Sequence, residues 1–255
     1  MKLNIPIKDN IKLKKVLEKV RSSEQLEALL ECSNITAIDR MGYTDHGPTH
    51  VAIVSNIALK LLRNLFDAGV ETSIEQHFQL TRDDAEVVVV LGSILHDVGH
   101  IIHRKDHTNF SIMVANSILP KFLEEVYSQR EQAIITSEVM HSIACHDMEY
   151  SPLTVEAGIV CIADALDMKE GRARIPFDAG KVDIHSVSAL AIDDVEISTG
   201  EKPIMIKVKM SNSAGIFQID NLLKPKLNTS GLKEYVQISV EIKGEEKRIL
   251  ENFEL

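Results

Sequence analysis

The dipeptide His96-Asp97 closes the longest apolar run of the chain, Val87 to Leu95, and that placement constrains the fold more than any other feature. An imidazole and a carboxylate at the end of a buried segment sit where water is scarce, and charge there needs a partner. The usual partner is a metal ion. A lone His-Asp dipeptide carries no information, and an isolated histidine more often packs in a core than binds metal. This pair, however, is preceded by His50 and followed by Asp164, both on amphipathic helical stretches. Two imidazoles and two carboxylates from three helices are enough for one ion. The set suits Mn, Fe, Co, Ni or Zn better than Ca, which prefers oxygen.

The 255 residues are enough for one large domain or two smaller ones. Only 4% are aromatic and none is Trp, so the core must be mostly aliphatic. A net charge of −10 argues against a surface built to neutralise a nucleic-acid polymer, but it leaves room for a local basic pocket. The run ending at Leu95 is about half the length a membrane-spanning helix needs, and MKLNIPIKDN has no signal-peptide core. Cys32, Cys145 and Cys161 are too scattered for a zinc motif, so a reduced, cytoplasmic setting is expected. Neither a Gly-rich phosphate loop nor a GXSXG nucleophile elbow occurs.

Residues 9–180 read mostly as helix. Apolar periodicity predicts helices from Ile11 to Val20 and from His50 to Leu65, the latter with Pro48 in its first turn. Asp83 and Asp84 suit the positive end of the next helix, and Gly99 suits its end. Further helices are expected at 107–128, with a kink or break at Pro120, at 131–147, and at 153–169. The character then changes. A short helix at 182–192 precedes a hairpin of Val195 to Ser198 and Ile204 to Met210, a helix from Ile216 to Leu227, a strand from Tyr235 to Ile242, and a return strand from Lys247 to Phe253. The expected fold class is mainly α: an all-helical domain over residues 1–180, then a small α+β domain over 181–255. The boundary is expected near Phe177 to Val182.

The order His50, His96-Asp97, Asp164 resembles the HD superfamily of metal-dependent phosphohydrolases, over roughly Tyr43 to Asp167. His50 opens HVAIVSNIALKLL, similar to the family's first ligand helix. Asp164 in IVCIADALD matches the final Asp, preceded by Ala163. The strings DHGPTHV, HDVGHIIHRKDH and GRARIPF…IHSVSA also resemble a group of uncharacterised archaeal HD proteins. The resemblance implies His50, His96, Asp97 and Asp164 as metal ligands. It extends to a second ion held by His107, which has Ser111 four residues on, and by His146, with His141 as a further ligand and Asp97 bridging. Asp167, three residues after Asp164, is expected to orient a ligand histidine. His103 and His107 straddle Arg104, Lys105 and Asp106, which also reads as a solvated loop. Where many HD hydrolases have Lys after HDxG, this chain has His100.

The expected cofactor is therefore one or two divalent transition-metal ions, which make a nucleophile from water at neutral pH. His96 and Asp97 are assigned to catalysis, with Arg104, Lys169 and Arg172 supplying positive charge to phosphoryl oxygens. His46, His100, Lys105 and Arg174 are assigned to substrate binding, and His185 can reach back from the second domain. The expected function is hydrolysis of a phosphoester in a small phosphorylated substrate, a nucleotide or cyclic nucleotide, with Phe110, Tyr127 and Phe177 as the rings available for stacking. Two alternatives keep the metal site: a nucleotide-binding regulatory protein, and a di-iron oxygenase. The edges of the C-terminal strands permit a homodimer.

Overall fold

Helix α5 (Arg82–Leu95) is the axis of the molecule, and it is buried from Asp84 to Leu95. Valine is a mediocre helix former, giving up roughly 0.5 kcal/mol against alanine. Complete burial of a valine returns about 1.5–3 kcal/mol, so tertiary burial overrides the β-preference of Val87 to Val90. A capping box fixes the start, with the Thr81 N–H donating to Asp84 Oδ2 at 2.9 Å. The computed structural model describes residues 1–169 and 184–242, with the backbone alone at 184–186.

Around α5 pack α1 (Ile11–Ser22), α3 (Pro48–Asp67), α7 (Gln129–Ala144) and α8 (Val155–Ala165). Helix α2 (Glu24–Asn34) runs into a π-helical turn at Ile35–Arg40, and the short α4 (Ser73–Phe78) leads into α5. Asn10 caps α1 by accepting from the Leu13 N–H at 2.8 Å, and its amide donates to Asp83 O and Glu86 Oε2, both at 2.9 Å. One asparagine therefore ends a helix and ties it to the central one. Helix α6 (His107–Leu123) passes through Pro120 and stops three residues later, short of the expected residue 128. The missing proline N–H costs one hydrogen bond in the last turn, which frays easily.

Gly99 does not end α5. The helix stops at Leu95, and Gly99 lies in a 3-10 turn, Val98–Ile101, laid against the start of α6. A Cβ there would stand 2.1 Å from the His107 carbonyl oxygen and 2.4 Å from the Ser111 nitrogen. The Gly99 N–H donates to Ser111 Oγ at 2.8 Å. Glycine is required because two backbones touch.

After α9 (Ile184–Leu190), β1 (Ile192–Ser198) and β2 (Ile204–Met210) form the expected antiparallel hairpin. Alternate residues Ile204, Ile206, Val208 and Met210 are buried. Helical segments Ile216–Gln218, Ile219–Leu223 and Lys224–Thr229 then cross over, and β3 (Val236–Ile242) pairs parallel to β2. The Lys224–Thr229 helix packs on α8. Gly158 of α8 allows this approach, since a Cβ there would lie 2.4 Å from the Ser230 carbonyl oxygen. One apolar cluster runs from Leu3 through α5 to Val236 and joins the helical and α+β parts. The fold is mainly α with a small three-stranded sheet, as expected. No described helix is long and apolar enough to cross a membrane. The expected boundary near Phe177 and the strand from Lys247 to Phe253 lie outside the described residues.

Two predictions follow from the packing. Gly99→Ala should destabilise the protein by about 2–4 kcal/mol, read by denaturant unfolding, because neither touching backbone can retreat cheaply. Glu138 is buried on α7, and its Oε2 has no hydrogen-bond partner among the described residues. Burial, helped by the nearby Glu156, pushes its carboxyl up to about 7. The folded state thus holds this proton more tightly than the unfolded state, so stability falls as pH rises from about 4.5 through 7. Glu138→Gln should raise Tm at pH 8 and change it little near pH 5; the same difference at both pH values would contradict a buried, titrating carboxyl.

Candidate metal centre

The ends of five helices meet at one end of the bundle. His50 sits in the first turn of α3, His96 and Asp97 follow the last turn of α5, His107 opens α6, His146 follows α7, and Asp164 lies in the last turn of α8. Aliphatic faces fix the helices, and each helix end presents one or two polar side chains to a common point.

Asp97 is at the centre. Its Oδ2 lies 3.4 Å from His50 Nε2 and 3.1 Å from His96 Nε2. Asp164 Oδ1 completes this group at 3.3 Å from His50 Nε2 and 3.6 Å from His96 Nε2. The other oxygen of Asp97, Oδ1, faces His107 Nε2 at 3.3 Å and His146 Nε2 at 3.5 Å. His100 stands beside this second group, with its ring 4.4 Å from that of His107. Two sets of donors, His50/His96/Asp97/Asp164 and Asp97/His100/His107, are each close enough to surround one ion.

Protonation tests whether an ion fits. Six histidines have Nδ1 engaged with an acceptor: His46 with Thr44 O, His50 with Asp167 Oδ2, His96 with Ser93 O, His100 with Asp97 O, His107 with Arg104 O and His146 with Ile143 O, at 2.6–3.0 Å. A carbonyl only accepts, so Nδ1 carries the proton, and a neutral ring then turns its Nε2 lone pair inward. His50 and His96 bring Nε2 atoms within 3.1 Å of each other, and so do His107 and His146. Lone pairs that close repel unless something positive lies between them. This is the donor arrangement a divalent transition metal requires.

Without an ion, a proton does part of this work. Burial opposes a charged His96, but Asp97 and Asp164 outweigh it and lift the imidazole to about 9. Burial would raise both carboxyls; His96 and His46 instead hold Asp97 well below the usual carboxylate range, and Lys226, His50 and His96 do the same for Asp164. Desolvation lowers His146, and it lowers His100 to about 4, so both are neutral near pH 7.

The remaining residues assigned from sequence are placed unevenly. His46 is close to the centre, 3.9 Å from Asp97 Oδ2 and with its ring 4.5 Å from that of His100. It gets there from the loop before α3, held by the Asn34 side chain, and not from a helical turn shared with His50. His141 is not brought to the cluster: its Nε2 accepts from the Leu153 N–H at 3.1 Å, and its ring lies against Cys145. Arg104 sits over the Tyr43 ring at 4.5 Å, with Nη1 3.4 Å from His100 Nε2. Arg104, Lys105 and His103 line a cleft of about 420 Å³ with Met41, Tyr43 and Asp147, and His107 opens onto it. Lys169 is not in the cleft; it pairs with Asp194 on β1. Tyr127 is buried in the core beside Lys12, away from the cleft, and Tyr43 is the ring beside the site instead. Arg172, Arg174 and Phe177 lie outside the described residues, as does the His185 side chain.

One residue escaped the sequence reading altogether. Lys226, from the α+β part, is buried and donates to Asp164 Oδ2 at 2.7 Å. A single lysine in a polar helix gives no signal of this, because its partner is 62 positions away. Asp167 was legible: its spacing from Asp164 puts both near the same face, and its Oδ2 accepts from His50 Nδ1 at 2.6 Å.

Comparison with known proteins agrees with this geometry. The HD domain family model matches residues 49–169. An uncharacterized protein of Methanocaldococcus jannaschii is 40% identical over 233 residues, covering 91% of this chain and 90% of its own length. The likeness therefore extends through the α+β part as well as the helical one. The chain belongs to the HD family, a superfamily of metal-dependent phosphohydrolases whose domains bind divalent metals.

Proposed function

We propose that this chain is a phosphohydrolase that removes or opens a phosphoester in a small phosphorylated compound, a nucleotide or cyclic nucleotide, using two divalent transition-metal ions. The observation that carries the reading is Asp97, whose two oxygens address two separate groups of imidazole Nε2 atoms. His50, His96, Asp97 and Asp164 would hold one ion, and Asp97, His107 and His146, with His100 beside them, the other. Bound there, such ions acidify water and withdraw charge from a phosphoryl group.

The chain's own residues supply the rest. Backbone carbonyls hold His96, His107 and His146 in the Nδ1–H tautomer, which turns their Nε2 atoms toward Asp97, while His100 Nε2 faces Arg104 Nη1. Asp167 does the same for His50 and strengthens it as a donor. Arg104, which lies over the Tyr43 ring and lines the cleft with Lys105, would grip phosphoryl oxygens there. The cleft volume of about 420 Å³ is in the range that suits a small molecule.

Plasma mass spectrometry of the purified protein should find about two metal equivalents, and few in Asp97→Ala. Full metal content and turnover in that variant would sink the scheme. With the metal found, phosphate should be released from nucleotides without oxygen; oxygen-dependent turnover with iron would instead favour a di-iron oxygenase. Arg104→Ala should raise KM about tenfold or more with metal content unchanged. Metal uptake should release protons, because His96 must give up the proton that it otherwise holds up to about pH 9. Affinity should therefore rise with pH between about 7 and 9, measured by calorimetry in buffers of different ionisation enthalpy; a flat profile would count against His96 as a ligand.

A further inference from the structure

Lys226 belongs to no part of the matched family region, which ends at residue 169, yet it reaches Asp164 of the first donor group. Its ammonium group is buried, with 6% of the residue exposed, and donates to Asp164 Oδ2 at 2.7 Å. The same carboxylate turns Oδ1 toward His50 and His96. Asp164 thus has one oxygen on a fixed cation from the α+β part and the other on the first group of candidate ligands. A carboxylate largely shielded from water, as Asp164 is with 16% of its side chain exposed, is destabilising without a counter-charge, and two cations on one carboxylate repel each other. Among the described residues Lys226 is the one buried lysine, and it stands beside the cluster.

We infer that Lys226 is a positioning residue acting through Asp164 as its standing counter-charge: it balances the carboxylate in the metal-free protein and, by repulsion, weakens the binding of an ion that shares that carboxylate. The inference rests on the metal reading of the site. It makes the seating of the Lys224–Thr229 helix on α8 and metal occupancy two thermodynamically linked events. The lysine stabilises the metal-free protein most, because a bound dication takes over the same duty.

The test uses the full chain, titrated with Mn²⁺, Ni²⁺ or Zn²⁺, comparing wild type, Lys226→Met and Lys226→Arg by thermal unfolding and chelator competition. Methionine keeps the aliphatic stem and removes the charge. Counter-charging predicts that the metal-induced rise in Tm is larger in Lys226→Met than in wild type by about 5 °C. It also predicts metal affinity about tenfold tighter in that variant, with Lys226→Arg restoring wild-type behaviour. A lysine that merely fills space would lower Tm equally with and without metal, and equal increments would overturn the inference. No metal uptake by wild type would overturn both the inference and the metal reading beneath it. Should metal-free Lys226→Met fail to fold, Lys226→Met/Asp164→Asn decides: recovery of folding shows that the stranded carboxylate was the fault, and continued failure shows that packing was.

Discussion

A buried carboxylate addressed by imidazoles on both sides is the constraint around which this molecule is arranged. Asp97 follows a helix that is buried on every face from Asp84 to Leu95 and is itself 4% exposed, so its charge is nearly cut off from water. The neighbouring helices each bring a polar end to it, and aliphatic packing, helped by contacts such as Asn10 with Glu86 and Gly99 with Ser111, fixes where those ends fall. The core is therefore also the positioning device of the site. A shift of one helix along α5 moves a nitrogen away from Asp97, and close-packed interiors resist such shifts.

The histidines are held as tightly as the carboxylate. Each ring at the centre has its outer nitrogen tied down, five of the six by a main-chain carbonyl two or three residues earlier and His50 by Asp167. Those local bonds follow from the turns in which the residues sit. Helix ends have spare carbonyls, and a histidine just beyond the last turn finds one within reach. This is why the site is built from helix ends and not from helix faces. It also explains Gly99: the turn after His96-Asp97 must lie directly on the start of α6 for His107 to reach Asp97.

The family likeness covers the helical core, while the relative from Methanocaldococcus jannaschii matches nearly the whole chain. The similarity to that relative therefore reaches beyond the residues matched by the family model and into the α+β part. Its hairpin and parallel third strand present buried residues to the same apolar cluster as α3 and α5. Through Lys226 it contacts the carboxylate side of the centre, which gives the attachment a chemical consequence as well as a structural one.

Much was legible in the residues themselves because the signals are local. The periodicity of Ile11 to Val20, the acidic helix start at Asp83 and Asp84, the alternation of Ile204 to Met210, and the order His50, His96-Asp97, Asp164 each depend on neighbours in sequence. The chain alone therefore determined the mainly helical fold, the C-terminal hairpin and the primary donor set. Tertiary structure decided what depends on helix phase and long-range contact. His141 and His146 look equivalent near the end of α7, but only His146, beyond the last turn, is rotated onto Asp97, while His141 faces Leu153. Lys169 follows Asp164 closely yet is drawn to Asp194, whereas Lys226, far along the chain, is drawn in. Sequence distance sets which side chains share a helix face; only the packing of one helix on another sets which of them meet.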